Sequence, residues 1–136
     1  MTTAIDLDRA LVADHMHVGV LVCAPEASLV DVAGMMAEHR VHCVVVLGDG
    51  EGAAGWSVVS DLDVAELAAG GSLDGGTAAN CAASPTVVVH PGDSLTRAAQ
   101  LMTENGVSHL IVSRAHPERP LGVFSTLDLV RAIVGG

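Results

Sequence analysis

The chain has 136 residues, half of them apolar, and a formal net charge of −10. All six of its cations are arginine, so we predict no basic surface of the kind that binds nucleic acids or anionic membranes. No apolar run reaches the length of a membrane span. The N-terminus carries Asp6 and Asp8 instead of the basic start of a signal peptide. We therefore expect a cytoplasmic protein.

The first half of the chain alternates strand and helix patterns. After a polar lead over 1–11, a β-branched run over 18–23 predicts a short strand that Pro25 ends. Residues 28–39 have one apolar stripe at helical spacing, which predicts a helix, and the serine at position 28 can cap its first turn. The run 41–47, which is apolar except for His42, predicts a strand that is covered on both faces.

A strand over 56–59 and a helix over 61–69 complete a unit of order β-α-β-β-α, and the glycines of 70–76 predict a linker. The same order of elements is then predicted a second time, over residues 86–89, 95–105, 108–112, 121–124 and 126–134. The predicted division is therefore, in chain order, 1–11, 12–69, 70–76 and 77–136.

This order reflects an internal repeat. The segment 56–63 matches 121–128 at a constant offset of 65, with a Ser-x-x-Asp motif in each copy. The segment 25–29 matches 91–95 at an offset of 66, as Pro-x-x-Ser-Leu. A motif that occurs twice in one order carries more weight than a lone match. The chain is thus two copies of one small α/β unit.

The ordered set of motifs resembles the CBS domain. It comprises an apolar strand, Pro-x-x-Ser-Leu, a helix with methionine, a second apolar strand and Gly-Val-Phe-Ser-x-x-Asp, and it covers about residues 12–134. Two such repeats in tandem resemble a Bateman module. The resemblance implies an α/β fold of two β-α-β-β-α repeats that pack sheet to sheet with pseudo-twofold symmetry.

The resemblance also implies a function. The clefts between the repeats would bind an adenosine-containing ligand such as AMP, ADP, ATP or S-adenosylmethionine. The chain would be a regulatory module and not an enzyme, and it would require no cofactor. Its partners would be the small-molecule nucleotide, a second copy in a disc-like homodimer, and a regulated protein in trans.

Residues for ligand binding follow from the same resemblance. Asp63 and Asp128 would take the ribose hydroxyls, with Ser60 and Ser125 beside them. Further candidates around the base and the phosphates are Val20, Val22, Cys43, Thr86, Val88, His109 and Thr126.

Each of these motifs has a second interpretation. Ser-x-x-Asp is also the pattern of a helix capping box. Arg40 and Arg131 are candidate phosphate ligands, but Arg131 could instead pair with Asp128 three residues earlier. Ser57 stands where the second copy has Gly122, so we expect the first cleft to be more crowded and the second to bind ligand more tightly.

Two other functions fit the composition. The chain could be a non-catalytic dimerisation or interaction scaffold with degenerate clefts. It could also respond to metals or to redox conditions through its seven histidines and three cysteines. The odd number of cysteines and the lack of C-x-x-C spacing argue against a disulfide framework and a zinc site. The histidine pairs at 15/17 and 39/42 do not define a shared ligand face, so we predict no metal site.

Overall fold

The computed structural model describes residues 5–47, 56–71, 73–82, 87–115 and 120–135. The strands in these residues are β1 (His17–Val18), β2 (Val22–Cys23), β3 (Cys43–Leu47), β4 (Trp56–Ser60), β5 (Val88–Val89), β6 (His109–Val112) and β7 (Gly122–Ser125). The helices are α1 (Leu29–His39), α2 (Asp61–Ala69), α3 (Ala78–Cys81), α4 (Leu95–Asn105) and α5 (Thr126–Gly135). The predicted α/β class with a repeated order of elements is confirmed.

The chain divides into two compact units. The first, which we call the composite unit, joins the described residues of Met1–Gly19 to those of Val87–Gly136. The second, the continuous unit, contains the described residues of Val20–Thr86. Each unit has its own sheet and its own apolar core.

The composite unit contains a sheet of order β1-β7-β6-β5. The β5–β6 pair is parallel, and the other two pairs are antiparallel. Helices α4 and α5 pack on this sheet. Phe124 of β7 is a fully buried member of a core that is otherwise aliphatic. Other buried members of this core are Val12, Val89, Leu95, Ala98, Met102, Leu110, Val112 and Ala132.

The continuous unit contains a sheet of order β2-β3-β4. Strand β3 is parallel to β2 and antiparallel to β4. The middle residues of β3 are buried, as predicted for a strand covered on both faces. The core of this unit contains Cys23, Leu29, Val32, Met36, Val44, Val46, Val59, Ala78 and Cys81.

The short segment at the beginning of each repeat packs on the start of a helix that belongs to the other repeat. In the composite unit, the Val12 N–H donates to the Asp93 carbonyl, and the Leu95 N–H, at the start of α4, donates to the Ala10 carbonyl. In the continuous unit, the Ala78 N–H donates in the same way to the Ala27 carbonyl. Each compact unit is therefore assembled from parts of both repeats.

The predicted single strand over 18–23 is wrong. The chain forms β1 and β2 instead, and the two strands belong to different sheets. Between them Gly19 has a φ of 88°, a left-handed conformation that glycine adopts without a steric penalty. The Gly19 N–H donates to the Leu121 carbonyl at 2.7 Å, directly beyond the pairing of β1 with β7.

The C-terminal ends of the two long helices show a matched contrast. Arg40, after α1, and Gly106, after α4, are 66 residues apart in sequence, and both adopt the left-handed conformation, with φ of 55° and 63°. That conformation costs a residue with a side chain roughly 1–2 kcal/mol, whereas glycine adopts it freely.

We therefore expect Arg40→Gly to raise the free energy of unfolding by about 1 kcal/mol. The control is Gly106→Arg, which should lower it by a similar amount because the same strain is introduced in the other repeat. Urea unfolding measures both changes. A destabilising Arg40→Gly would show that the arginine side chain stabilises the fold by more than its backbone strain costs.

Candidate functional site

The start of α5 holds a buried carboxylate. Asp128 has a side chain that is 3% exposed, and its Oδ2 accepts hydrogen bonds from the Ser125 N–H at 2.9 Å and the Ser125 hydroxyl at 3.1 Å. In return the Asp128 N–H donates to Ser125 Oγ at 3.2 Å. The capping-box interpretation of this motif is therefore confirmed, and it fixes the orientation of the carboxylate.

A histidine from the other end of the chain contacts the same carboxylate. His17 Nδ1 lies 3.0 Å from Asp128 Oδ1 and 3.2 Å from Oδ2. The imidazole side chain is 65% exposed. Strand β1 brings it there, because His17 pairs with Val123 at the edge of the composite sheet. Asp128 thus lies beneath a partly exposed imidazole.

These residues border a cleft of about 390 Å³. Its lining includes Asp128 and Arg131 from α5 together with His15 and His17. That size lies within the range of about 300–1,000 Å³ that small-molecule sites occupy. Among the described residues Arg131 makes no ion pair, so the predicted alternative pairing with Asp128 is not formed. Its guanidinium is available to a ligand in the cleft.

The first repeat has the same capping box at the start of α2. The Ser60 N–H donates to Asp63 Oδ2 at 2.8 Å, and the Asp63 N–H donates to Ser60 Oγ at 3.1 Å. Asp63 is buried. Next to it, His42 Nδ1 contacts Asp61 Oδ2 at 2.8 Å, and both side chains are exposed. The two copies therefore share the carboxylate geometry but differ in the histidine contact.

Strands β3 and β6 each begin with a residue that pairs with the serine of a Ser-x-x-Asp motif. Cys43 pairs with Ser60, and His109 pairs with Ser125. Burial raises the pKa of the Cys43 thiol to about 11, and the negative charge of Asp61 adds to that effect. Burial also raises the pKa of Cys23 and of Cys81. All three cysteines are therefore buried thiols, which does not favour a redox role.

The other predicted ligand residues are more scattered. Val22 lies in β2, which is parallel to β3, and Val88 lies in β5, which is parallel to β6. Both side chains are partly buried, as is that of Val20. The Thr126 N–H donates to the Ser108 carbonyl at 2.9 Å, and the Thr126 side chain is exposed. Thr86 lies outside the described residues.

Arg40 is placed differently from Arg131. It is exposed at the end of α1. Within the described part of the chain no hydrogen bond or ion pair joins it to Asp63. Of the two arginines that are candidates for binding a phosphate, Arg131 thus lines the cleft described above.

Sequence reasoning missed the contact between His17 and Asp128. The two residues are 111 positions apart, and no local pattern links them. The sequence around His17 contains no signal that points to Asp128. The spacing of His17 to His15 was considered only as a metal-binding pattern, and the sequence argued against that function. No group of three or more potential metal-ligating side chains occurs in the part of the chain that the structure describes.

Gly122 is needed for a different contact from the one predicted. A Cβ atom at this position would lie 2.0 Å from the His17 carbonyl oxygen, a distance that no side chain tolerates. The close approach at Gly122 is therefore made by the backbone of β1 itself.

No helix among the described residues is long and apolar enough to cross a membrane.

The motifs and the fold have clear counterparts among known proteins. The family model described as CBS domain matches residues 12–69 and 79–135, which together make up most of the chain. No curated protein matches the chain significantly.

Solved structures share the architecture over nearly the whole length. Hypoxic Response Protein I, solved with two coordinated zinc ions, is 25% identical, with a TM-score of 0.71 and coverage of 90% of this chain and 98% of that one. CBSX2 in complex with AMP is 24% identical, with a TM-score of 0.75 and coverage of 93% and 97%.

The CBS domain pair of MJ0100, in complex with 5′-methylthioadenosine and S-adenosyl-L-methionine, is 16% identical, with a TM-score of 0.79 and coverage of 93% and 97%. At this level of identity the likeness concerns the fold. The family match and the duplicated Ser-x-x-Asp capping boxes agree with it. The chain therefore belongs to the CBS domain family and carries two copies of that domain in tandem.

Proposed function

We propose that this protein is a regulatory module that binds an adenosine-containing ligand and has no catalysis of its own. The observation that carries the proposal is the buried carboxylate of Asp128, at a helix start beside a cleft of about 390 Å³. A carboxylate accepts two vicinal hydroxyls, and free N–H groups at a helix start favour anionic groups. Complexes of CBSX2 with AMP and of MJ0100 with S-adenosyl-L-methionine support the ligand class.

In this proposal the two copies have unequal roles. Asp128 binds the ribose, and Arg131, one helical turn further along α5, neutralises a phosphate. Asp63 occupies the corresponding place in the first copy, but Glu66 stands where the second copy has Arg131. An anion at this position repels a phosphate. The second copy should therefore contribute more of the binding energy.

The remaining predicted residues complete the proposed contacts. Ser60, Ser125 and Thr126 supply hydroxyl groups at the helix starts. The candidate base contacts are Val20 and Val22 in the first copy and Thr86 and Val88 in the second. The candidate phosphate contacts are Arg40 and Cys43 in the first copy and His109 in the second.

The charge of the chain limits the number of ligand phosphates. With a net charge of −10 and only six cations, the long-range field repels anions. We expect AMP or S-adenosylmethionine to bind more tightly than free ATP. Calorimetry without magnesium against AMP, ADP, ATP, S-adenosylmethionine and NADH tests the proposal. Binding of none of them would overturn it, and tightest binding of ATP would overturn the charge argument.

Substitution of the two aspartates tests the inequality of the copies. Asp128→Asn should weaken AMP binding by about tenfold or more, because it removes a charged acceptor of hydrogen bonds. Asp63→Asn, the matched control, should have a smaller effect. Calorimetry gives both affinities, and thermal unfolding checks that both variants are folded. Equal losses would contradict the assignment of the stronger site to Asp128.

An interaction scaffold is the second candidate, and α5 provides the observation that favours it. This helix exposes the apolar side chains Leu127, Val130, Ile133 and Val134. The corresponding residues of α2 are Leu62 and three alanines. We propose that this surface contributes to a disc-like homodimer. Light scattering at micromolar concentration tests the dimer, and a monomer would contradict it.

Two further elements of the proposal concern the setting. A module without catalysis acts through a regulated protein in trans, and buried free thiols are typical of a cytoplasmic protein.

A metal-responsive function is the third alternative, since Hypoxic Response Protein I was solved with coordinated zinc. Metal analysis of the purified protein distinguishes it from the nucleotide-binding function.

A further inference from the structure

The contact of His17 with Asp128 restricts the acceptor positions of the candidate site. A carboxylate can only accept hydrogen bonds, so the Nδ1 atom of His17 carries the hydrogen in this contact. The imidazole spans both carboxylate oxygens, at 3.0 Å and 3.2 Å. It is the exposed partner of the pair, since the Asp128 side chain is 3% exposed and that of His17 is 65% exposed.

Counting acceptor positions shows what remains for a ligand. Each carboxylate oxygen has two lone pairs. The N–H and hydroxyl of Ser125 fill both positions of Asp128 Oδ2. Within the described part of the chain, Oδ1 is contacted by His17 alone. One acceptor position is therefore left, whereas two vicinal hydroxyls need two.

The imidazole can leave without disrupting the fold around it. The backbone of His17 is held by pairing with Val123, and the Gly19 N–H bonds to the Leu121 carbonyl at 2.7 Å. The side chain itself is mostly exposed and lies at the edge of the sheet. Rotation about its χ angles therefore breaks the contact with Asp128 while β1 stays paired with β7.

From these contacts we infer that His17 is an internal competitor for the ribose site of Asp128. In the free protein its imidazole occupies the acceptor position that the second ribose hydroxyl needs, and ligand binding displaces it. The inference rests on the proposed function and adds a specificity rule. A ligand with both ribose hydroxyls must displace His17, whereas a deoxyribose, with one hydroxyl, binds to the remaining position and leaves the imidazole in place.

Binding of AMP and of 2′-deoxy-AMP to His17→Ala tests the inference. Removal of the competitor should tighten AMP binding by about fivefold, which corresponds to one exposed hydrogen bond. Binding of 2′-deoxy-AMP should change less than twofold. The control is His15→Ala, which removes another imidazole from the same cleft, since no hydrogen bond or ion pair links His15 to Asp128 within the described residues. Its AMP affinity should not increase.

The outcomes separate the inference from the proposed function. AMP binding that depends on Asp128 but is unchanged or weakened in His17→Ala would overturn the inference alone. Equal tightening of both ligands would also overturn it, because competition would then not involve the second hydroxyl. Failure of every variant and of the native protein to bind AMP would overturn both.

A second measurement does not depend on a variant. The NMR signals of the His17 imidazole report on its contact with Asp128 in the native protein. Addition of saturating AMP should shift them, whereas addition of 2′-deoxy-AMP should leave them nearly unchanged. Imidazole signals that do not respond to bound AMP would overturn the inference, even if His17→Ala fails to fold.

Discussion

Replacement of Phe124 by alanine is expected to lower the free energy of unfolding by about 3–5 kcal/mol. Phe124 is the only phenylalanine of the chain, and among the described residues it is the largest fully buried side chain. It pairs with Leu110 across β6 and β7 and contributes to the core of the composite unit. The described side chains around it are aliphatic, so none of them can expand to fill the cavity that the substitution leaves.

The control is Val59→Ala in the continuous unit. Val59 corresponds to Phe124 in the first repeat and is equally buried, but its substitution removes fewer carbon atoms, for an expected loss of about 2 kcal/mol. Urea unfolding followed by circular dichroism measures both losses. Trp56 is the single tryptophan of the chain and lies in the continuous unit, so its fluorescence follows the unfolding of that unit. A loss of less than about 1.5 kcal/mol for Phe124→Ala would show that the core of the composite unit rearranges around the cavity.

Gly122→Ala is expected to detach β1 from the composite sheet. The new Cβ atom would lie 2.0 Å from the His17 carbonyl oxygen, and a backbone atom cannot rotate out of the way as a side-chain end can. We expect a loss of about 1–3 kcal/mol, the usual cost of overpacking. The imidazole of His17 should leave Asp128 at the same time, because its backbone no longer holds it there.

The corresponding position in the first repeat provides the control. Ser57 already has a Cβ atom at this point of β4, so Ser57→Ala should change the free energy of unfolding by much less. Urea unfolding gives the stability, and the His17 imidazole signals in NMR spectra report the detachment. If Gly122→Ala is as stable as the native protein and His17 stays on Asp128, the sheet can absorb the clash and our account of Gly122 is wrong.

The local features of this fold could be predicted from the sequence. Helices α1 and α4 begin directly after Ser28 and Ser94, because an N-cap serine and the apolar period that follows lie within one short window. The capping boxes at Asp63 and Asp128 depend on residues three apart. Strand β3 was recognisable from its run of apolar residues, and β4 from its match to the segment 121–124.

The features that sequence reasoning missed depend on distant residues. Strand β1 exists because His17 meets Val123, and nothing near His17 predicts that partner. The contact of His17 with Asp128 has the same origin. Helix α3 spans four residues, too few for an apolar period. Its only local signal was Thr77, whose side chain accepts a hydrogen bond from the Asn80 N–H.

The composite unit also determines when the protein can finish folding during synthesis. Residues 20–82 leave the ribosome as one stretch, so the continuous unit can form early. The segment that carries His17 must wait for Val123, which at about 5–20 residues per second is made roughly 5–20 s later. A chain that terminates before Val123 would leave the backbone N–H and carbonyl groups of β1 without their partners in β7. Pairing of β1 with β7 therefore cannot precede the synthesis of Val123, however early the continuous unit forms.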